Sequence, residues 1–486
     1  MRIGQTSIIV YLSKLIGSAI GFLATLYFAR LLGAQVLGLY ALVMAIVGWL
    51  NMAGQLGIGN AMIKRISENK ERGAYLAAAI VWKVLLLLVI AVGLLLSKSA
   101  VEGYLGEFDQ YSEVSVVWFL TCILVVRLFQ GTVFHTLMGE RKVHIPGLLR
   151  PLSVGSKSLI QILLVVAGYS LVGILAGWIA GGVLVGVVAI YWTTVRPTSP
   201  AKQHFVSLFD YAKFSWLGRL ESRVYNNVDI LLLGVFVPSS LVGIYSVAWS
   251  IAKFIEMFGS AISQAVFPEI SYNSAQETDQ SITGLIEDAL TYTGLMAIPG
   301  LVGGAILAKQ LLRLYGPEFT QGSTVLVLLV LSVLLYSYQN QLVNALNGID
   351  RPEIAFRISA IFIVLNAVLN VVLIWQFGIV GAAVATAVSA GVGLVLAYYA
   401  LRQLVEFRIP IREPSRQIVA AVIMGGIVGT TLETIERTDI INYNAIIVFL
   451  LVGVGAGVYF AVLFTLSTKF RETVNRNLPV DVPYLL

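Results

Sequence analysis

A chain of 486 residues that is 58% hydrophobic and only 12% charged, with a mean hydropathy of +0.87, excludes an ordinary soluble domain, which carries about twice that charge. Apolar runs of roughly 20 residues recur from end to end, each able to cross a hydrocarbon core about 30 Å thick. Barrel strands, with a period of two over about ten residues, are excluded, and the net charge of +6 reads as a topology signal rather than a nucleic-acid one.

Taken in chain order, fourteen spans are predicted: 8–32, 36–59, 74–97, 113–138, 146–168, 171–195, 211–236, 240–267, 283–308, 320–346, 354–376, 379–401, 416–433 and 443–467. The fold class is therefore an all-α polytopic membrane protein. No cleavable signal is read at the start, because Met1–Ser7 is short and the first apolar run is too long. In the ninth span Pro299-Gly300 removes a helix hydrogen bond, which predicts a kink or break near Ile298. With the N-terminus cytoplasmic, and with Arg150, Arg357 and Arg416 at span edges counted with the adjoining loops, 19 of the 32 Lys and Arg fall on cytoplasmic segments, four on outer loops and nine within spans. That is a clear positive-inside bias. The predicted cytoplasmic loop Pro268–Ser281 dissents with Glu269, Glu277 and Asp279, but acidic residues weigh little in this rule. Loops are too short to fold as domains, and the single Cys122 allows no intrachain disulfide.

An internal echo divides the chain. GAQVLGLYALVMAIV at 33–47 matches PSSLVGIYSVAWSIA at 238–252, with Gly38/Gly243, Tyr40/Tyr245 and Ile46/Ile251 identical at an offset of 205 residues. MGERKVHI at 138–145 rhymes with NGIDRPEI at 347–354. The second copy begins six spans after the first, so the copies run parallel about an axis along the membrane normal. This predicts an N-lobe over 1–195, a cytoplasmic linker over 196–210, a C-lobe over 211–402, and two further spans with a tail over 403–486. GxxxG spacings at Gly17/Gly21, Gly173/Gly177/Gly181, Gly182/Gly186, Gly300/Gly304, Gly425/Gly429 and Gly453/Gly457 read as helix-packing marks.

The motifs ARLLGAQVLGLYAL at 29–42, NNVDILLLG at 226–234, LVGIYSVA at 241–248 and AVFPEIS at 265–271, with their order and spacing, resemble the polysaccharide-transport (Wzx-type flippase) branch of the multidrug/oligosaccharidyl-lipid/polysaccharide exporter superfamily. The resemblance implies two six-helix lobes around a central cavity plus two extra helices. It also implies alternating access and the movement of polyprenyl-linked sugars from the cytoplasmic to the outer leaflet of the cell membrane. Membrane lipids and a glycan polymerase or ligase would be its partners.

The residues themselves point to the same class of cargo. Lys14, Arg30, Lys83, Arg127, Lys157, Lys213, Arg219, Arg223 and Lys253 lie within spans, against Glu221, Asp229 and Glu256 as the interior acids. Each central charge costs roughly 2.5–3.5 kcal/mol on insertion scales, so these groups face protein or water. A net-basic interior suits the phosphate or pyrophosphate of a lipid-linked glycan. Candidate cargo contacts are Lys14, Arg30, Arg127, Lys157, Arg219, Arg223, Asn226 and Lys253, with Arg219, Arg223 and Asn226 on one helix face. Competing readings are snorkelling for Lys83, Lys213 and Lys157, interfacial anchoring for Arg30, and internal pairing for Lys253 with Glu256 and for Arg219 and Arg223 with Glu221 or Asp229. Asp229 is the leading candidate for Na⁺ or proton coupling, with Glu221 and Glu256 as the other carboxylates, and its competing role is structural pairing. The three histidines sit near the cytoplasmic edge and are read as bland. No metal site, nucleotide loop or catalytic constellation is read in the chain, so no cofactor, enzyme activity or nucleic-acid partner is expected. The rival function is a cation-coupled multidrug exporter of the same superfamily, which would favour an acidic or aromatic cavity. Reporter fusions test the topology: placed at the C-terminal Leu486 and within Ser97–Ser112, they are expected to give opposite signals. Like signals contradict the fourteen-span arrangement.

Overall fold

The computed structural model describes residues 3–215, 220–275, 279–438 and 442–477, all of whose regular structure is helical. Ten helices are long and apolar enough to cross a membrane. Two of these bend and supply two spans each. In α1 (Ile3–Gln55) the bend is at Gly33 (φ 76°, ψ 179°) and in α13 (Pro352–Arg402) at Gly378 (φ 56°, ψ −133°). A positive φ costs glycine nothing, so both points let one continuous chain turn back without a loop. The charged helices α9 (Leu220–Phe236) and α10 (Ser239–Ala275) cover the two remaining predicted spans.

The rest follow in order: α2 (Ile58–Ser67), α3 (Arg72–Leu96), α4 (Lys98–Tyr104), α5 (Val116–Gly139), α6 (His144–Val166), α7 (Ser170–Ile190), α8 (Lys202–Ser215), α11 (Asp279–Arg313), α12 (Ser323–Gly348), α14 (Arg412–Thr438), α15 (Asn444–Leu466) and α16 (Thr468–Asn477). Two expectations are corrected. Helix α11 runs through Pro299 without a break; one lost hydrogen bond is tolerated where neighbouring helices enclose the segment. The loop expected from Pro268 is instead helix as far as Ala275, and α11 begins at Asp279.

The chain divides into two compact units, Met1–Ser246 and Val247–Leu486. In the first, α7 packs on both α6 and α5 through two rows of glycine. A Cβ on Gly177 or Gly181 would lie 2.6 Å from the α6 backbone at Gln161 or Lys157, and one on Gly186 would lie 2.3 Å from the Phe129 ring of α5. The predicted spacings at 173–181 and 182–186 are therefore close-contact seams, while Gly429, Gly453 and Gly457 have nothing within 4 Å. The strand-like segment after α7 is strapped down: the Glu140 carboxylate accepts from the backbone N–H of Thr194 (2.8 Å) and Val195 (2.7 Å) and pairs with Lys142 at 2.6 Å. Burial pushes that carboxyl up, but the Lys142 and backbone hydrogen bonds outweigh it and hold it below the usual range.

In the second unit α12 packs along α13, and α11, α14 and α15 form a neighbouring group. Ile298, Met424, Val428 and Leu451 share one apolar cluster there. Among the described residues its buried polar side chains are neutral, with Gln339 and Gln341 on α12 and Asn366, Asn370 and Thr386 on α13.

The tightest helix contact joins the two sequence copies inside the first unit. A Cβ on Gly38 would lie 1.7 Å from the Ser239 carbonyl oxygen and 2.9 Å from the Gly243 nitrogen; one on Gly243 would lie 1.9 Å from the Ala34 carbonyl oxygen and 3.0 Å from the Gly38 nitrogen. Ala34/Ser239 and Gly38/Gly243 are both separated by 205 positions, so equivalent residues meet reciprocally, as in a two-fold interface. The segment between α4 and α5 reinforces this contact. Glu107 accepts from Gln35 Nε2 (3.0 Å) and from the Ser239 hydroxyl, while Tyr104 Oη donates to the Leu231 carbonyl (2.6 Å). Gly38→Ala or Gly243→Ala is expected to lower stability by ~1–3 kcal/mol, as overpacking does. Gly93→Ala, with nothing within 4 Å of its Cβ, is expected to be neutral, and thermal melting of the three variants checks the contrast.

Candidate functional site

Three helices of the first unit bring basic side chains together. Trp178 of α7, 9% exposed, is flanked by two of them: Lys157 Nζ of α6 lies 4.1 Å from its ring centroid and the Arg127 guanidinium carbon of α5 lies 5.1 Å from it. An indole face attracts a cation but adds no negative charge. Lys157 also donates to Gln130 Oε1 (3.3 Å), whose amide in turn donates to Ser153 Oγ (2.9 Å). The Arg127 Nε is buried and unpaired. Neither Arg127 nor Lys157 has a carboxylate partner among the described residues. They lie within electrostatic reach of each other, and Arg223 lies within reach of Arg127. Tyr40 of α1 and Gln161 of α6 border the same position.

Arg223 enters from α9. Its Nη1 donates to Asn227 Oδ1 (2.9 Å) and rests where a Cβ on Gly48 of α1 would be, 2.7 Å away. Glycine at 48 is what admits the guanidinium against α1. Three like charges converging in a membrane-embedded bundle repel one another strongly. The arrangement suits a polyanion that each of them can contact.

Six residues further along α9, Asp229 is 4% exposed and accepts from Tyr245 Oη at 2.5 Å. Tyr245 is itself buried, and it is the repeat counterpart of Tyr40. The carboxylate thus has a hydroxyl partner that sequence reasoning did not find.

The other candidates are placed as follows. Arg30 is exposed near the Gly33 bend, apart from this cluster. Asn226 spends its amide on its own helix, donating to the Ser222 carbonyl at 2.5 Å. Glu221 is partly exposed in the first turn of α9. In the second unit Lys253 sits over the Trp249 ring at 5.1 Å, with Glu256 one turn further along α10. Arg219 and the Lys14 side chain lie outside the described residues. The snorkelling reading of Lys83 is overturned: it is 1% exposed and donates to Thr132 Oγ1 at 3.1 Å. A lysine this far along α3 meets α5 before its stem can reach an interface. Trp178 and Gln130 were also missed, because neutral residues were not weighed.

Comparison with known proteins places this architecture. The profile of the polysaccharide biosynthesis protein family matches residues 3–274, and the MatE profile matches residues 218–372. The chain is 33% identical over 486 aligned residues to the probable flippase AglR of Haloferax volcanii, covering 98% of each. It is 29% identical to the probable low-salt glycan biosynthesis flippase Agl15 of the same organism, covering 99% of this chain and 100% of that one. Its fold resembles that of lipid II flippase MurJ in an inward closed conformation, with a TM-score of 0.74 at 17% identity over 96% of this chain and 100% of that one. It also resembles an inward-facing multidrug resistance MATE family transporter, with a TM-score of 0.65 at 16% identity over 82% and 98%. A multi-pass membrane protein of two-lobe transporter fold, matched over more than half its length by one profile and over nearly all of it by a flippase relative, the chain belongs to the polysaccharide biosynthesis protein family, in the polysaccharide-transport branch of the MOP superfamily.

Proposed function

We propose that this protein is a flippase for lipid-linked oligosaccharides, carrying a polyprenyl-phosphate or pyrophosphate head group and its sugar from the cytoplasmic to the outer leaflet. The observation that carries it is the convergence of Arg127 and Lys157 on Trp178, within reach of Arg223 and with no carboxylate partner for the first two among the described residues. A phosphate supplies the charge that the site lacks. Arginine offers it a planar fork and lysine a point charge. The names of the flippase relatives support the same cargo class.

In this reading Lys14, Arg30, Arg219, Asn226 and Lys253 keep the cargo-contact role that the sequence suggests for them. The chain carries out no covalent chemistry, and both termini face the cytoplasm. Glycan made available outside passes to a polymerase or ligase, whose consumption of it draws the flux. An organic cation, the cargo of the rival drug-exporter reading, would meet three positive charges in this site. The likeness to MATE transporters supports that reading at the level of fold alone.

Energy input is assigned to Asp229. A Na⁺ ion or proton taken up there competes with the Tyr245 hydroxyl and alters the charge balance nearly two turns from Arg223. Alternating access would thereby depend on the ion gradient, with Glu221 and Glu256 as secondary carboxylates.

Vesicle flux of a lipid-linked oligosaccharide tests both parts. Arg127→Gln and Lys157→Gln are each expected to lower flux at least ~10-fold, the loss of one charged hydrogen bond. Their melting temperatures should hold or rise, since a repulsive neighbour is gone. Normal flux in both variants overturns the cargo assignment. Asp229→Asn is expected to keep cargo binding while abolishing any dependence of flux on an imposed Na⁺ or pH gradient. Wild-type flux that ignores both gradients returns Asp229 to a structural role.

A further inference from the structure

Lys83 belongs to none of the machinery above. It is the twelfth residue of α3 and is enclosed by its neighbours, at 1% exposure. Its one hydrogen bond goes to Thr132 Oγ1 (3.1 Å), and that hydroxyl donates onward to the Leu128 carbonyl (2.7 Å). An ammonium carries three donors, so two of them have no acceptor among the described residues, and no carboxylate pairs with it there. A buried charge without a counter-charge is severely penalised in a bilayer-spanning bundle.

Lys83 also borders a cavity of about 20 Å³, together with Asn51 and Gln55 of α1, Leu87 of α3, and Leu124 and Leu128 of α5. That is enough for a water-sized guest. The polar groups on its wall are biased towards donors. Gln55 Nε2 donates to Asn51 Oδ1 (3.0 Å), which takes up one lone pair of that oxygen, while the Asn51 amide nitrogen has no acceptor and Gln55 Oε1 no donor among the described residues. A lysine amine, free N–H groups and no carboxylate on the wall suit a negative guest.

We propose that this cavity binds a small monovalent inorganic anion of the halide class, which neutralises Lys83 and ties α1, α3 and α5 together. The volume excludes a phosphate or a sugar. Arg127 lies about 100° round α5 from Leu128 and does not border the cavity, so this site is separate from the cargo cations and stands whether or not the cargo reading holds.

The test uses the full-length protein in lipid nanodiscs, melted over a range of sodium chloride with sodium gluconate holding the ionic strength constant. Chloride and bromide are expected to raise the melting temperature saturably, as a ligand of the folded state does. Gluconate and inorganic phosphate are expected to have no effect. Lys83→Met should abolish the chloride response. Because that variant can fold poorly, Asn51→Leu serves as a second one, expected to weaken chloride at least ~10-fold by removing a donor to the ion. Equilibrium binding of radiolabelled chloride to the wild type should saturate at a single ion per chain. Arg127→Gln should keep the response. The proposal is overturned if chloride and gluconate act alike on the wild type, if Lys83→Met folds and keeps the response, or if the response is lost in Arg127→Gln instead.

Discussion

Positive charge held inside a bundle with nowhere to discharge is the constraint that organises the first unit. Arg127 and Lys157 both rest against one indole, and Lys83 leans on a single hydroxyl. Each contact tolerates a cation without cancelling it. A salt bridge in the same places would be more stable when empty and worthless for an anion, because a carboxylate would already occupy the site. The bundle therefore trades resting stability for affinity, as binding sites commonly do.

Such a bundle needs a rigid frame, and glycine provides it by bringing backbones together. Gly177 and Gly181 set α7 against α6 at the level of Lys157, and Gly48 leaves room for the Arg223 guanidinium. In a bilayer, lipid tails offer no hydrophobic push between helices, so close packing has to hold them. The Gly38–Gly243 contact applies the same device to the two sequence copies. Because equivalent residues touch each other, the contact lies on the pseudo-symmetry axis.

The second unit solves the burial of polar groups differently. Its α12 and α13 bury amides and hydroxyls rather than cations, and Asn370 Nδ2 donates to the Asn366 carbonyl at 2.9 Å on the same helix. Neutral groups satisfied locally cost little in a bundle interior. The two units thus share a helical architecture while differing in charge, and the strongly basic part of the chain belongs to the first.

How much of this was legible beforehand depends on distance along the chain. Apolar run length is local, so the spans, the even count and the bends beside Gly33 and Gly378 could be read directly. The repeat that pairs Gly38 with Gly243 was also visible, because it is a matter of spelling. Hairpin arithmetic offered more than was taken from it. Arg127 and Lys157 lie nearly equally far from the turn at Arg141–Lys142, and Lys157 and Trp178 nearly equally far from the turn at Gly168–Tyr169, which puts all three at one depth. Depth is not azimuth, however. Which side of each helix faced which neighbour was decided only when the glycine seams locked α5, α6 and α7 in rotation. That rotation buried Lys83 against Thr132 rather than letting it snorkel, and the path of α10 brought the Tyr245 hydroxyl to Asp229. The helix count and the sign of the interior were written in composition and run length. The partner of each buried charge was left to packing, because a side chain's neighbours across a bundle lie tens of positions away in the chain, on other helices.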